Sequence, residues 1–195
     1  MSTQLDLISV GRISLDFYAN ESNVGFKDVK TFSMSIGGSP TNVAIAAAKL
    51  GNRSAIITNV GKDSFTDYIL GKLKEFNVDT SYVGIDESQF SPAVFAAMDD
   101  PYNPTIFFNR PQNAPDTKIS ADRVSEQVIK TARVFWVSAC ALATGDLRHQ
   151  HQAEARRQCV HDLEHVHLHR HRVGADVAGI AVAATPDDLS VICAR

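Results

Sequence analysis

Short apolar runs and helical stripes alternate along the first two thirds of the chain. The runs at 5–10, 54–60 and 133–138 have the pattern of strands buried in a parallel sheet. Between them, segments 39–50 and 63–76 carry apolar side chains at roughly helical spacing. Strands that alternate with helices in this way predict an α/β domain with right-handed crossovers.

A second set of strands has a different pattern. Residues 12–18 alternate between apolar and polar side chains, as a half-exposed strand does. The runs 93–98 and 105–109 flank a connection rich in turn residues and therefore predict a β-hairpin. A third helix is predicted over 120–131, with its apolar residues on one face.

A glycine pair at the start of a helix is the strongest chemical signal in the sequence. Gly37 and Gly38 allow close backbone approach to a ligand. Ser39 is the expected N-cap, and Pro40 suits the first helical position because it has no N–H to satisfy. Asn42 falls in the first turn, where its amide can project beside the glycines. The pattern predicts a polar ligand held at this helix start.

With Gly51 and Gly61 at matching spacings, this segment resembles the first signature of the ribokinase-like (PfkB-type) carbohydrate kinases. The resemblance implies a partial ribokinase-like fold, with a parallel sheet, helices on both faces and a small β lid, truncated before the nucleotide-binding half. Four strands would form that lid, within 12–36 and 93–110: residues 12–18, 31–36, 93–98 and 105–109. The implied reaction is ATP-dependent phosphorylation of a sugar or sugar-acid hydroxyl.

The resemblance also implies which residues bind the substrate. Asp16, Gly37, Gly38 and Asn42 would hold the sugar, and Arg110 would select an acidic or keto-bearing one through its forked guanidinium. From the residues alone, Asp16 also fits a surface carboxylate on an edge strand, and Arg110 a solvated loop arginine. The segments 107–116 and 133–138 are most similar to the branch that phosphorylates 5-dehydro-2-deoxygluconate in inositol breakdown.

The catalytic half of such a kinase is not recognisable in this sequence. The family's general base is an aspartate in a Gly-Ala-Gly-Asp motif at a helix N-terminus. Gly174-Ala175-Asp176 is only a partial echo of that motif. ATP and Mg²⁺ are therefore expected for the full-length family, and this chain is expected to lack the catalytic aspartate and the ATP site and to be inactive.

The tail differs in composition from the rest of the chain, which predicts a boundary between 1–145 and 146–195. All seven histidines lie between His149 and His171, whereas all fifteen aromatic residues lie at or before Trp136. One hypothesis is a shifted reading frame. The alternative is a functional tail, in which alternating histidines bind a metal ion and the chain is a non-catalytic sugar-binding or pairing module.

If the sheet ended at 133–138, it would leave an unpaired apolar edge.

Composition limits the remaining function classes. The formal net charge of −3 gives no reason to expect nucleic-acid or membrane binding. The first residues lack the basic and apolar regions of a signal peptide, and three widely spaced cysteines do not indicate a disulfide framework. We therefore expect a cytoplasmic protein. The resemblance implies a small-molecule sugar or sugar-acid partner, and we expect a homodimer formed through the implied lid.

Overall fold

The computed structural model describes residues 4–100, 102–124, 126–138, 179–185 and 188–194. The histidine-rich segment, with the candidate metal ligands of the tail, lies outside these residues, and so does Gly174-Ala175-Asp176. The hypotheses about that segment therefore stay predictions.

The described residues form strands and helices that alternate along the chain. The strands are β1 (Leu5–Val10), β2 (Ser14–Ser22), β3 (Phe32–Gly37), β4 (Ser54–Gly61), β5 (Val78–Asp79), β6 (Val83–Asp86), β7 (Ala93–Met98), β8 (Thr105–Asn109), β9 (Ala132–Ser138), β10 (Gly179–Thr185) and β11 (Asp188–Ala194). The helices are α1 (Ser39–Lys49), α2 (Thr66–Glu75) and the single turn α3 (Glu126–Ile129).

A central sheet carries the core of the fold, in the strand order β11-β10-β9-β1-β4-β5, with β6 also pairing with β4. Strand β1 pairs in parallel with both β4 and β9, and every residue of β4 is buried. Ile8, Ile56 and Ile57 are fully enclosed, as expected for a sheet covered on both faces. The predicted α/β fold with three buried parallel strands is therefore confirmed.

A four-stranded sheet in the order β3-β2-β7-β8 forms the lid. Strand β2 is antiparallel to β3 and parallel to β7, and β7 and β8 form the expected antiparallel hairpin. One face of the lid carries an aromatic cluster, in which the Phe17 and Phe95 rings stack with centroids 4.9 Å apart. The four predicted lid strands are confirmed, with β2 longer than expected.

The start of α1 differs from the prediction by one residue. Gly38 is the N-cap, and Ser39 is already helical and makes no capping hydrogen bond through its side chain. The chain passes directly from the last residue of β3 into the helix, and Gly38 makes this turn with a φ of 103°. Because only glycine adopts that conformation freely, it takes the boundary position from serine. Gly51 ends the helix as expected, with a φ of 85°.

The start of α2 also differs: the sequence predicts a helix from residue 63, with Asp63 as its N-cap, but Asp63 does not cap the helix. Phe65 occupies that position, two residues later. The Asp63 carboxylate instead accepts the Phe65 N–H at 2.8 Å and the Ser91 N–H at 2.6 Å. It therefore fastens the loop before β7 to the loop before α2. The apolar stripe of α2 packs as predicted, with Ile69 and Leu73 fully buried.

The third predicted helix, over 120–131, is shorter than expected. It is divided into a 3₁₀ turn, Ala121–Val124, and the single turn α3. This arrangement still packs Val124 and Val128 against the central sheet.

The central sheet does not end at β9. Strand β10 pairs antiparallel with β9, and β11 pairs with β10. The prediction of an unpaired edge at 133–138 is therefore wrong.

The carboxyl group of Asp86, on β6, is predicted to make the stability of the fold depend on pH. Asp86 accepts hydrogen bonds from Lys118 Nζ at 2.8 Å and Ser88 Oγ at 2.6 Å, which lower its pKa from 3.8 to about 2. Such a carboxyl contributes stability that is complete above its unfolded pKa and is lost as pH falls toward about 2. Asp86→Asn should therefore flatten the fall in unfolding free energy between about pH 4 and 2, measured by urea denaturation.

The exposed pair of Lys27 and Asp28 provides the control for this measurement, since both side chains are more than half exposed. Asp28→Asn should leave the acid limb of the stability curve parallel to that of the unchanged protein. An Asp86→Asn curve that also stays parallel would show that Asp86 does not contribute to acid unfolding.

Candidate sugar-binding site

Asp16, Gly37 and Gly38, three of the predicted site residues, meet where the lid joins the central sheet. Asp16 lies on β2, Gly37 ends β3, and Gly38 caps α1. The register of β2 and β3 pairs Ser14 with Gly37 and Asp16 with Ser35. The start of α1 is therefore held beside Asp16 by the pairing of two lid strands.

The Asp16 carboxylate occupies the space that a side chain at Gly37 would need. A Cβ on Gly37 would lie 1.9 Å from Asp16 Oδ2 and 2.5 Å from its Cγ, so any larger residue would displace the carboxylate. On the other side, Asp16 Oδ1 accepts a 2.7 Å hydrogen bond from Ser14 Oγ, and Oδ2 accepts a longer one of 3.4 Å from the Tyr18 hydroxyl. These contacts fix a half-buried acceptor at the lid junction.

The environment of Asp16 makes its carboxyl harder to ionise. Partial burial raises its pKa, and hydrogen bonds from Ser14 and Tyr18 oppose that effect. Further donors that reach a half-desolvated carboxylate are bound more strongly than they would be in water. Sugar hydroxyls are such donors, so the position is suited to hold them.

The first turn of α1 is packed against the end of β1. A Cβ on Gly38 would lie 2.4 Å from the Arg12 carbonyl oxygen, so this position has no room for a side chain. Thr41 Oγ1 donates to the same oxygen at 3.1 Å, and Ser9 Oγ donates to the Pro40 carbonyl at 2.9 Å. These contacts fix the helix start relative to the sheet.

Asn42 lies in the first turn of α1, where its backbone N–H donates to the Gly38 carbonyl at 2.9 Å. Its side chain is exposed. The amide is therefore free to meet a ligand at the glycine pair, but no contact joins it to Asp16. Its role in sugar binding stays a prediction.

Arg110 has an environment that the sequence did not suggest. Its Nη1 donates to Asp116 Oδ2 at 2.9 Å, and its Nη2 donates to Oδ1 of the same carboxylate. The Arg110 side chain is 12% exposed and that of Asp116 is 0% exposed, so Arg110 is not the solvated loop arginine of the alternative reading. Asp116 Oδ2 also accepts the Ile13 N–H at 2.9 Å. The pair thus ties the loop after β8 to the chain between β1 and β2.

The lid presents a mixed surface on the same face as Asp16. The strand registers place Ser35, Asp16, Val94 and Phe108 in one row. Tyr18 lies two residues further along β2 and is 47% exposed. Sequence reasoning did not single out Tyr18 or Phe108. The alternation of β2 and β8 could have indicated both, since residues two apart share a face.

The described residues contain no group of three or more His, Cys, Asp or Glu side chains placed to hold a metal ion. Among the same residues, no helix is long and apolar enough to cross a membrane.

The parallel sheet, the β lid and the glycine-capped helix beside Asp16 define a sugar-kinase type of domain. The model of the pfkB family carbohydrate kinases matches residues 4–179. The chain belongs to this family.

Its curated relatives include 5-dehydro-2-deoxygluconokinases. The protein of Bacillus thuringiensis (strain Al Hakam) is 33% identical over 166 residues, covering 85% of this chain and 47% of the relative. That of Geobacillus kaustophilus (strain HTA426) is 34% identical over 145 residues, covering 74% and 43%. The chain thus spans about half the length of the curated relatives it matches.

Solved structures share the fold. An uncharacterized sugar kinase from Pyrococcus horikoshii in complex with ATP matches with a TM-score of 0.67 and 24% identity, covering 77% of this chain and 49% of that one. The 2-dehydro-3-deoxygluconokinase of Thermotoga maritima matches with a TM-score of 0.65 and 17% identity, covering 79% and 48%. At these identities, the likeness establishes the ribokinase-like architecture.

Proposed function

We propose that this chain provides the sugar-binding part of a kinase that phosphorylates 5-dehydro-2-deoxygluconate in inositol breakdown. The observation that carries the proposal is the Asp16 carboxylate, held against Gly37 at the junction of lid and sheet. The family membership and the names of the curated relatives support the class of substrate.

The described residues would act by binding and orienting the sugar. Asp16 would accept hydrogen bonds from sugar hydroxyls, and Gly37 and Gly38 would let the sugar approach the backbone. The amide of Asn42 would add a polar contact from the first turn of α1. Holding a hydroxyl in position lowers the entropic part of the barrier to its reaction.

Phosphoryl transfer needs further groups. A substrate hydroxyl oxygen forms a bond to the γ-phosphorus of ATP, the bond to the leaving ADP breaks, and a base takes the hydroxyl proton. The sequence contains no Gly-Ala-Gly-Asp motif for that base. We therefore propose that the 195-residue chain binds sugar but does not phosphorylate it, and that ATP and Mg²⁺ serve full-length members of the family.

The proposal is tested by titrating the 195-residue chain with 5-dehydro-2-deoxygluconate in a calorimeter. The unchanged protein should bind, and Asp16→Asn should weaken binding roughly 10- to 100-fold, since hydrogen bonds to a charged group each contribute about 1.5–3 kcal/mol. Asp28→Asn, an exposed carboxylate outside the lid strands, should bind like the unchanged protein. Absence of binding, or equal affinity of Asp16→Asn, would contradict the proposal. Phosphorylation by the chain itself would contradict its expected inactivity.

We also propose that the protein is cytoplasmic and that it forms a homodimer through the lid. Strand β8 is the outer strand of the lid sheet, and all five of its residues are exposed. Ile106, Phe107 and Phe108 are each about half or more exposed, a combination that favours pairing with another strand or surface. Ile106→Lys should shift sedimentation toward the monomer, whereas Phe90→Lys, outside the lid, should not. A monomeric unchanged protein would refute the dimer.

A further inference from the structure

The arginine that precedes the lid has a donor without a partner. Among the described residues, Arg12 Nε is the one buried side-chain nitrogen or oxygen without a hydrogen bond. A buried polar group left unpaired is costly, and more so when it belongs to a charged side chain.

The backbone of Arg12 lies at the candidate site. It follows β1 and precedes β2, so Asp16 is only four residues further along the chain. Its carbonyl oxygen accepts the Thr41 hydroxyl and lies against Gly38. Arg12 is therefore anchored by the same helix start that is proposed to hold the sugar.

The nearby carboxylates are engaged elsewhere. Both oxygens of Asp116 are taken by Arg110, and one of them also by the Ile13 N–H. The oxygens of Asp16 accept hydrogen bonds from Ser14 and Tyr18. Neither carboxylate pairs with Arg12, and no other described carboxylate does.

The two arginines thus differ in what they can offer to a substrate. The fork of Arg110 is already occupied by a fully buried carboxylate. Arg12, whose backbone lies at the site, retains a buried donor without a hydrogen bond. We propose that Arg12, rather than Arg110, binds the carboxylate of the sugar acid and sets the preference for acidic over neutral sugars. This assignment rests on the proposed sugar-acid function.

The test compares an acidic and a neutral sugar on the 195-residue chain. Affinities for 5-dehydro-2-deoxygluconate and for neutral 2-deoxy-D-glucose are measured by calorimetry for the unchanged protein, Arg12→Gln and Arg12→Lys. Loss of a charge-assisted hydrogen bond should weaken acid binding by Arg12→Gln roughly 10- to 100-fold. Neutral-sugar affinity should change less than about twofold, and Arg12→Lys should restore part of the acid preference, because it restores the charge.

Arg53→Gln is the matched control, because Arg53 precedes β4 and its side chain is 47% exposed beside Asp6. It should leave both affinities unchanged. If Arg12→Gln does not fold, the Nε–H resonance of Arg12 in the unchanged protein decides the question. It is assigned by its absence from the Arg12→Lys spectrum, and it should shift on adding the acidic sugar but not the neutral one.

The outcomes separate this inference from the proposed function. If the unchanged protein binds the sugar acid but Arg12→Gln keeps its acid preference, only the assignment to Arg12 is overturned. An unmoved Nε–H resonance in the presence of bound acid has the same meaning. A protein that binds no sugar acid at all overturns both the function and the role of Arg12.

Discussion

Gly37→Ala is expected to abolish sugar binding by displacing the carboxylate that holds the sugar. The new methyl group would lie 1.9 Å from Asp16 Oδ2, well inside van der Waals contact. Asp16 must then leave its rotamer, together with the hydrogen bond from Ser14 Oγ at 2.7 Å. The overpacking should also cost about 1–3 kcal/mol of unfolding free energy. Calorimetric titration and urea denaturation measure the two effects separately.

Gly71 provides the matched control, because a Cβ at this position in α2 would meet nothing within 4 Å. Gly71→Ala should stabilise the protein by about 0.5–1 kcal/mol, since alanine is the better helix former. Its sugar affinity should be unchanged. Normal sugar binding by Gly37→Ala would mean that Asp16 does not need its observed position, and the proposed site would have to be abandoned.

Asp116→Ala is expected to destabilise the fold strongly. It leaves the Arg110 guanidinium buried at 12% exposure without its counter-ion, and it removes the acceptor of the Ile13 N–H. Breaking a buried ion pair from one side costs about 3–5 kcal/mol, because the remaining charge is uncompensated. Urea denaturation should show this loss as a lower midpoint with little change in slope.

Two further variants separate the ion pair from a general effect of substitution. Replacing both partners with apolar residues, Arg110→Met with Asp116→Leu, should recover much of the lost stability, since no charge is left buried. Lys27→Ala, which breaks an exposed pair, should change stability by less than about 1 kcal/mol. A loss on Asp116→Ala no larger than that on Lys27→Ala would show that the buried pair does not stabilise the fold.

The same pair bears on the specificity that the sequence predicted for Arg110. If the guanidinium group of Arg110 binds only Asp116, Arg110→Ala should weaken the binding of acidic and neutral sugars alike, because it loosens the loop after β8. A loss confined to acidic sugars would restore Arg110 as the residue that selects them. Calorimetry with both sugar classes distinguishes these outcomes.

The buried strands and the lid hairpin could be predicted from the sequence, because each has a characteristic pattern of neighbouring residues. A strand buried on both faces must be apolar throughout, which made β1, β4 and β9 recognisable. The lid hairpin was marked by the turn residues between β7 and β8. Strands β5 and β6 were missed, because two and four residues carry too little periodicity to separate a strand from a loop.

The site was predictable only as far as its motif extends along the chain. Gly37, Gly38 and Asn42 form one contiguous signal, and Asp16 follows from the resemblance. The partner of Arg110 could not be read from sequence, because Asp116 was one of several polar loop residues and its burial depends on Ile13, more than one hundred residues away. The lack of a hydrogen-bond partner for Arg12 Nε could not be read from sequence either, because it depends on which groups the fold places beside this atom.

The alternation of β2 also fixes the number of residues between Gly11 and Asp16. Asp16 lies on one face of the lid, and Phe17 lies on the other, stacked on Phe95 at 4.9 Å. Deleting one residue between Gly11 and Asp16 would bring Phe17 to the place of the carboxylate and the carboxylate to the buried place of Leu15, even if the backbone pairing survived. Length variation among homologous chains should therefore be absent from this short stretch and tolerated in the connection between β7 and β8.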